Sequence, residues 1–247
     1  MDSYEPSNKD SILAFAKKLE GKTLRQVLDN SKIIEIEETE AQSKLKSANI
    51  NKSINKGSFG QKLEKYYFGF ANNSNKDADF SECKLELKIT PLKEITLGRL
   101  RPKERMVCNI INFEEIINEE WQTSSFLAKC NEILLIRYVD PLDKMISHLD
   151  YKFVDIRIHN ILKSADSSQF ESDWNMIVDK IKSGYAHELS ESDTLFLGAC
   201  TKGANSKSLR SQPNSNIPAM QRAFSFKQQY MKILLDRAPE IYEVFKS

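Results

Sequence analysis

Lys84-Leu85-Glu86-Leu87-Lys88-Ile89-Thr90-Pro91 alternates charged and apolar side chains as far as Ile89. In an extended chain successive side chains leave opposite faces, so Leu85, Leu87 and Ile89 point one way and Lys84, Glu86 and Lys88 the other. The pattern predicts a strand that packs one face on a core and carries an acid and a lysine side by side on the other. Thr90-Pro91 is its expected end, because proline donates no ladder hydrogen bond.

The rest of the chain supplies neighbours for such a strand. Met106–Asn112, Ile133–Val139, Phe153–Ile161 and Thr194–Cys200 read as further strands. Helical spacing marks Ser11–Leu19, with Gly21 as its stop, and Thr23 is placed to cap a short helix through Leu28. Phe59, Leu63 and Tyr67 recur at helical spacing toward Gly69, and two later helices are expected over about Ser172–Ser183 and Phe226–Asp236. Glu40–Gly57 is polar and rich in Lys, Asn and Ser, which reads as a loop; Ala71–Lys76 reads as a turn-rich connector. Strands and helices are interspersed without a repeat or an obvious linker. This predicts one mixed α/β domain over residues 1–247.

Charge distribution says more than charge balance. The net charge is +1, yet no Asp or Glu occurs from Ala41 to Leu63, where Lys44, Lys46, Lys52, Lys56 and Lys62 stand. None occurs from Leu195 to Leu235 either, against Lys202, Lys207, Arg210, Arg222, Lys227 and Lys232. With 35 acids in 247 residues, an even spread would put about six in the second window. Two acid-free stretches point to a surface kept positive for an anionic partner, although solvated lysine-rich loops would give the same count. Asn205, Ser206, Ser208, Gln212, Asn214 and Asn216 in the second window add groups able to contact phosphates and base edges.

Other classes recede. No window holds the ~18–20 apolar residues of a membrane span, and the N-terminus lacks the basic-then-apolar order of a signal peptide. Cys83, Cys108, Cys130 and Cys200 lie far apart with no CxxC spacing. That argues against a zinc site and a disulfide framework, and a cytoplasmic location is expected.

The predicted strand gives these features a chemistry. Glu86 and Lys88 share a face; Asp79 lies seven positions before Glu86, and Glu64 sits on the preceding helix beside Leu63. Carboxylates that converge repel one another unless a cation joins them, and hard oxygen ligands suit Mg²⁺. A lysine beside them can orient or deprotonate water, or stabilise charge on a phosphate oxygen. The combination suits metal-assisted phosphodiester hydrolysis. E-x-K alone would equally describe an exposed strand face bearing a surface ion pair.

Gly57-Ser58-Phe59-Gly60-Gln61-Lys62-Leu63-Glu64, then Tyr67-Phe68-Gly69, Asp79-Phe80 and Leu85-Glu86-Leu87-Lys88-Ile89-Thr90-Pro91 together resemble the MutH family of DNA endonucleases. The similarity continues at Thr123-Ser124-Ser125 with Lys129, and at Ala186-His187-Glu188-Leu189-Ser190. It is strongest at Cys200-Thr201-Lys202-Gly203-Ala204-Asn205-Ser206-Lys207-Ser208-Leu209-Arg210-Ser211-Gln212-Pro213, followed by Gln221–Lys227. That family includes a mismatch-repair nicking enzyme and the Sau-type restriction endonucleases, and the Cys200–Pro213 block is more similar to the latter.

The resemblance implies a restriction-endonuclease-like fold of the PD-(D/E)xK kind, a mixed central sheet flanked by helices. It also implies Mg²⁺-dependent cleavage of double-stranded DNA before the G of GATC. Glu64, Asp79, Glu86 and Lys88 fall on the family's catalytic positions, the three acids as metal ligands, and Lys129 on a lysine near the site. Lys202, Gly203, Asn205 and Lys207 fall on a DNA-reading loop, with Lys56 and Gly57 on a second contacting loop; Arg210 and Lys227 join them as expected DNA contacts. The implied organisation is N-terminal helices over 1–40, a catalytic core over about 55–200, and the reading loop with a C-terminal helix over about 200–247. Where the repair enzymes carry Tyr, this chain has Ser225, so their methylation sensing does not transfer. Sau-type enzymes are about twice this length, with a second, non-catalytic half, so the expectation is either an isolated catalytic domain or a single-domain relative, with a second non-catalytic domain or self-association on DNA as the expected partners. A hemimethyl-specific nickase and a catalytically silent DNA-binding module stay open as alternatives.

Outside the cluster, Phe59, Tyr66, Tyr67 and Phe68 are expected in the core rather than stacked on bases. Trp121, Trp174 and Cys200 are expected to be packing residues, and His187 a structural hydrogen-bonding group or a DNA contact.

Overall fold

The computed structural model describes residues 3–48, 58–70, 77–96, 98–203, 205 and 207–246, with the backbone alone over 43–48 and at 58. Its strands are β1 (Glu86–Thr96), β2 (Arg99–Pro102), β3 (Met106–Ile110), β4 (Glu132–Asp140), β5 (Phe153–Asn160), β6 (Leu197–Thr201), β7 (Leu209–Gln212), β8 (Ser215–Met220) and β9 (Arg222–Phe226). They form a four-stranded sheet in the order β2-β1-β4-β5, a three-stranded sheet β3-β9-β6, and the hairpin β7-β8. In the first sheet β1 and β4 are parallel, while β2 and β5 join antiparallel. The strand anticipated from the alternation is therefore interior to a mixed sheet. The remaining strands pair separately instead of extending it.

β4 shows why the layers form. Its run Ile133-Leu134-Leu135-Ile136 is buried throughout, as a strand covered on both faces should be. Leu134 and Ile136 pack on one side with Leu85, Leu87, Phe59, Leu63 and Ile12. Ile133 and Leu135 pack on the other, with Phe126, Trp174, Phe224 and Phe226. The first layer is built by the helices α1 (Lys9–Lys17), α2 (Leu24–Val27), α3 (Asn30–Ala48) and α4 (Ser58–Leu63). Asn8 caps α1, and Thr23 and Gln26 form a reciprocal capping box on α2. The second layer holds α5 (Phe113–Ile116), α6 (Ser125–Cys130), α7 (Ser167–Lys182) and α8 (Gln228–Asp236), while α9 (Ile241–Lys246) closes the far end near Leu92, Leu100 and Val139.

Two expectations need correction. Helix α3 continues to Ala48, through the first half of the stretch read as a loop; Glu, Ala, Gln and Lys are good helix formers, and polarity alone does not stop a helix. The remaining residues of that stretch, Asn49 to Gly57, lie outside the described residues, as does the whole of the Ala71–Lys76 connector. Strand β1 runs past Pro91 to Thr96 and begins only at Glu86, because Lys84 takes a left-handed turn conformation with φ 55°. Pro91 is tolerated because the β2 ladder starts after it, at Leu92↔Pro102, while its carbonyl still accepts from the Lys103 N–H at 3.1 Å.

Polar groups fix the joints. Asp173, buried on α7, accepts the N–H groups of Leu195, Phe196 and Leu197 at 3.0, 2.5 and 2.8 Å, which sets the entry into β6. Arg137 on β4 and Asp155 on β5 are register partners, both buried, and pair at 2.8 Å. No described helix is long and apolar enough to cross a membrane.

Candidate active site

The site is built where β1 starts. A 3-10 turn, Ser81–Cys83, and the left-handed Lys84 reverse the chain so that Phe80 and Leu85 bridge, with backbone bonds of 3.0 and 3.2 Å. This reversal carries Asp79 back beside Glu86. The Asp79 N–H donates to Glu86 Oε2 at 3.3 Å, and Asp79 Oδ2 accepts the Leu87 N–H at 2.9 Å. Among the described residues, the edge of β1 away from β4 has no ladder partner between Glu86 and Pro91. Asp79 lies beside β1 through its bonds to Glu86 and Leu87.

Glu86 and Lys88 pair in register with Ile133 and Leu135 of β4, which places them on the face covered by β3 and α6. Glu86 is only 2% exposed, so the alternative of an exposed strand face bearing a surface ion pair does not describe it. Lys88 Nζ donates to Glu86 Oε1 at 2.6 Å, and Lys129, on the last turn of α6, brings its ammonium to 4.0 Å from the same oxygen. Glu64 opens a π-helical turn, Glu64–Phe68, that follows α4 and ends at the left-handed Gly69. Such turns are uncommon and recur at functional sites. Sequence periodicity gives the helix but carries no signal for the altered turn.

Electrostatics tie the residues together. Burial pushes the Glu86 carboxyl above the usual carboxylate range, against Lys88, and the charge of Asp79 adds to the rise. Glu64, half-buried, is raised by burial and then by Asp79, with Lys88 opposing. Burial alone would lower Lys88, but the Glu86 carboxylate prevails and holds it above the ordinary lysine value. The acids are thus short of positive charge even with a lysine among them. Carboxylate oxygens in mutual repulsion are the donor set a hard divalent cation relieves, so Glu64, Asp79 and Glu86 fit such an ion chemically. Among the described residues, no three acid, histidine or cysteine side chains are already gathered at metal-holding distances. Both Glu86 oxygens are engaged by N–H donors.

The expected DNA-contacting residues divide. Lys202, Gly203, Asn205 and Lys207 are exposed on the β6–β7 loop. The loop is closed at its base by Lys202 N–H to Gln221 O at 2.8 Å and Gln221 N–H to Ser208 O at 3.0 Å. Gly203 is required there, since a Cβ would lie 2.4 Å from Ser208 Cβ. Arg210 on β7 lines an open cleft of ≈ 610 Å³ whose wall also includes Lys129, so one groove joins the cluster's lysine to the block expected to read DNA. Lys227 is placed differently. Its ammonium donates to the carbonyl of Glu191 at 2.6 Å and to that of Thr194, inside the fold. Lys56 and Gly57 lie outside the described residues.

Neighbouring residues behave mostly as packing groups. Phe59 and Phe68 are buried, with Tyr66 and Tyr67 partly so, and Trp121 and Trp174 sit 5.9 Å apart in the core. Cys200 is buried. His187 Nδ1 pairs with Gln212 Nε2 at 2.9 Å, while Gln212 Oε1 accepts the Ala186 N–H at 2.7 Å, anchoring the β7–β8 hairpin to α7's end. Gly184 completes this anchor: its φ is +79° and a Cβ would lie 2.6 Å from Asn214 O.

Comparison with known proteins gives the same direction as the geometry. The family model described as "DNA mismatch repair enzyme MutH" matches residues 68–173, a span containing Asp79, Glu86, Lys88 and Lys129. The type II restriction enzyme Sau3AI of Staphylococcus aureus is 43% identical over 184 residues, covering 73% of this chain and 36% of that enzyme. The chain spans about a third of the length of this relative.

Proposed function

The chain belongs to the MutH family, and from that premise we propose that it is a metal-dependent endonuclease cutting double-stranded DNA at GATC. The observation that carries the proposal is the buried Glu86, held between the Asp79 N–H and the Lys88 ammonium, with Lys129 linking it to the cleft that Arg210 lines.

In this reading Glu64, Asp79 and Glu86 hold Mg²⁺, which when bound supplies a Lewis acid and an activated water. Lys88, kept charged by Glu86, stabilises the negative charge that develops on the phosphate oxygens; its raised pKa makes it a poor proton acceptor. Lys129 adds a second cation on the cleft side. Lys202, Gly203, Asn205, Lys207 and Arg210 meet the DNA from the β6–β7 loop and β7, with Lys56 and Gly57 in the second contacting loop. Residues 1–247 act as one endonuclease domain in the cytoplasm, either alone, beside a second non-catalytic domain, or self-associated on DNA.

The restriction reading is preferred to a methylation-sensing nickase on one observation. Ser225, where the repair enzymes carry Tyr, is fully buried in β9 with its hydroxyl 3.5 Å from Gly198 O, so it presents nothing to a methyl group. Digestion of unmethylated, hemimethylated and fully methylated GATC duplexes with Mg²⁺, reading each strand, tests the proposal. Cutting of both strands of the unmethylated duplex before the G is expected. Nicking confined to hemimethylated duplex would identify the nickase, and binding without cutting a silent DNA-binding module.

A further inference from the structure

The cleft between Lys129 and Arg210 contains an asparagine that the cluster does not use. Asn109 lies near the end of β3, in the register break between Val107 and Ile110 where β3 pairs with β9. Such an irregularity re-aims the side chains it contains, and Asn109 lines the cleft together with Lys129, Arg210, Ser211 and Gln221. The residue just before it, Cys108, donates its thiol to Met106 O at 3.8 Å and packs in the same buried cluster as Cys130, the residue after Lys129. Asn109 therefore stands close behind the catalytic cluster.

Its carboxamide oxygen is unengaged. Oδ1 is buried and has no hydrogen-bond partner among the described residues. Nearby asparagines are engaged in the fold: Asn112 Oδ1 caps α5 through the Glu114 N–H at 3.2 Å, and Asn131 Oδ1 takes the Leu162 N–H at 3.1 Å. A half-buried amide without a partner is unfavourable in the free protein and gains once a partner arrives. Turned toward the cleft, a carboxamide offers one acceptor and one donor. That pair matches the N6 amine and N7 of adenine in the major groove.

We propose that Asn109 is a specificity-determining residue that reads the adenine of the cut site through this amide. The inference rests on the endonuclease reading above. It goes further by placing one base contact on β3, outside the loop that carries the other expected contacts.

The test measures cleavage by wild-type protein, Asn109→Ala and Asn109→Ser on a GATC duplex and on the same duplex with an adenine analogue whose N7 is carbon. Wild-type should cut the analogue about tenfold more slowly. Both variants should be slower on the natural duplex and indifferent to the analogue. An equal penalty from the analogue in wild-type and in a folded variant, or none in wild-type, overturns the inference while leaving the endonuclease reading intact. A wild-type protein that binds the duplex and never cuts it overturns both. Far-UV circular dichroism establishes that each variant is folded, and Asn109→Ser, the smaller polar change, is the comparison if Asn109→Ala is not.

Discussion

Asp79 donates its backbone N–H to Glu86 Oε2 at 3.3 Å although the two side chains carry like charges. The turn that brings them together thus works against their electrostatics, and the Glu64 and Glu86 carboxyls, raised first by burial, are raised further by the Asp79 charge. Asp79→Asn keeps the N–H and the side chain's shape and removes one charge. In EDTA it should raise unfolding stability by ~0.5–1 kcal/mol, as relief of strain in a functional site does. With Mg²⁺ it should lower the single-turnover cutting rate by at least ~100-fold, because the proposed reading makes Asp79 a metal ligand. Urea titration and cleavage assays on one preparation check both signs. A less stable variant would mean that the Asp79–Leu87 hydrogen bond outweighs the repulsion.

Lys88 and Lys129 approach the same oxygen at 2.6 and 4.0 Å, and only the nearer one is hydrogen-bonded to it. Lys88→Met should therefore destabilise the protein by ~1–3 kcal/mol at pH 7, leaving a buried carboxylate with one distant cation. The sign with pH is definite. A carboxyl whose folded pKa is raised contributes stability below its unfolded value and loses it as pH rises. Removing Lys88 raises Glu86 further, so the penalty should shrink as the pH is lowered from 7 toward 4.5. Lys129→Met should show a smaller penalty and a weaker pH dependence. Equal penalties would show that distance does not rank the two lysines.

The sequence made some of this legible and could not have made the rest so. Alternation of side chains identified β1 and put Glu86 and Lys88 on one face, because that face is a local property of an extended chain. Exposure is not local: Glu86 is buried because β3 and α6, distant in sequence, cover that face. The β7–β8 hairpin lacks a sequence signal because its largely exposed positions show no apolar alternation, and β2 because its alternation lasts only four residues, Arg99–Pro102. The second half of helix α3 reads as a loop because of its polar composition, which says nothing against a helix. The acid-free window from Leu195 to Leu235 was read as one positive surface. Lys227 shows that a lysine in such a window can face inward, onto carbonyls no composition count reveals.

His159 supplies a pH dependence away from the cluster. It lies at the end of β5 with Nε2 3.3 Å from the Tyr230 hydroxyl, and burial pushes its imidazole down to about 4, with Asp166 opposing and Arg237 adding to the fall. An unfolded chain takes up that proton near pH ~6.5. Between those values the unfolded state binds more protons, so stability is full above pH ~6.5 and falls as the pH drops toward 4. At ~1.4 kcal/mol per pH unit the whole window is worth about 3 kcal/mol. His159→Gln should flatten the urea-midpoint profile between pH 6.5 and 4.5 relative to wild-type. Parallel profiles would assign the acid sensitivity to other groups, Asp166 with its Arg237 partner first among them.

Salt dependence of DNA binding separates the lysines that the sequence grouped together. Each ammonium or guanidinium set on a phosphate releases counterions and steepens the fall of affinity with salt by ~0.9 on a log–log scale. Lys202, Lys207 and Arg210 are exposed on the β6–β7 loop and β7. Alanine at a position that meets a phosphate should reduce the slope by about that amount, and alanine at one that reads a base should also relax discrimination among duplexes. Lys227→Ala should leave the slope unchanged. It should instead destabilise the fold by ~1–3 kcal/mol, because the carbonyls of Glu191 and Thr194 lose their shared donor. Fluorescence anisotropy on a short duplex from low to moderate salt, beside urea titrations of each variant, measures both quantities. A reduced slope for Lys227→Ala with unchanged stability would mean that its ammonium leaves the carbonyls for the DNA. The joint between the 190–194 turn and β9 would then be a moving part of the binding surface.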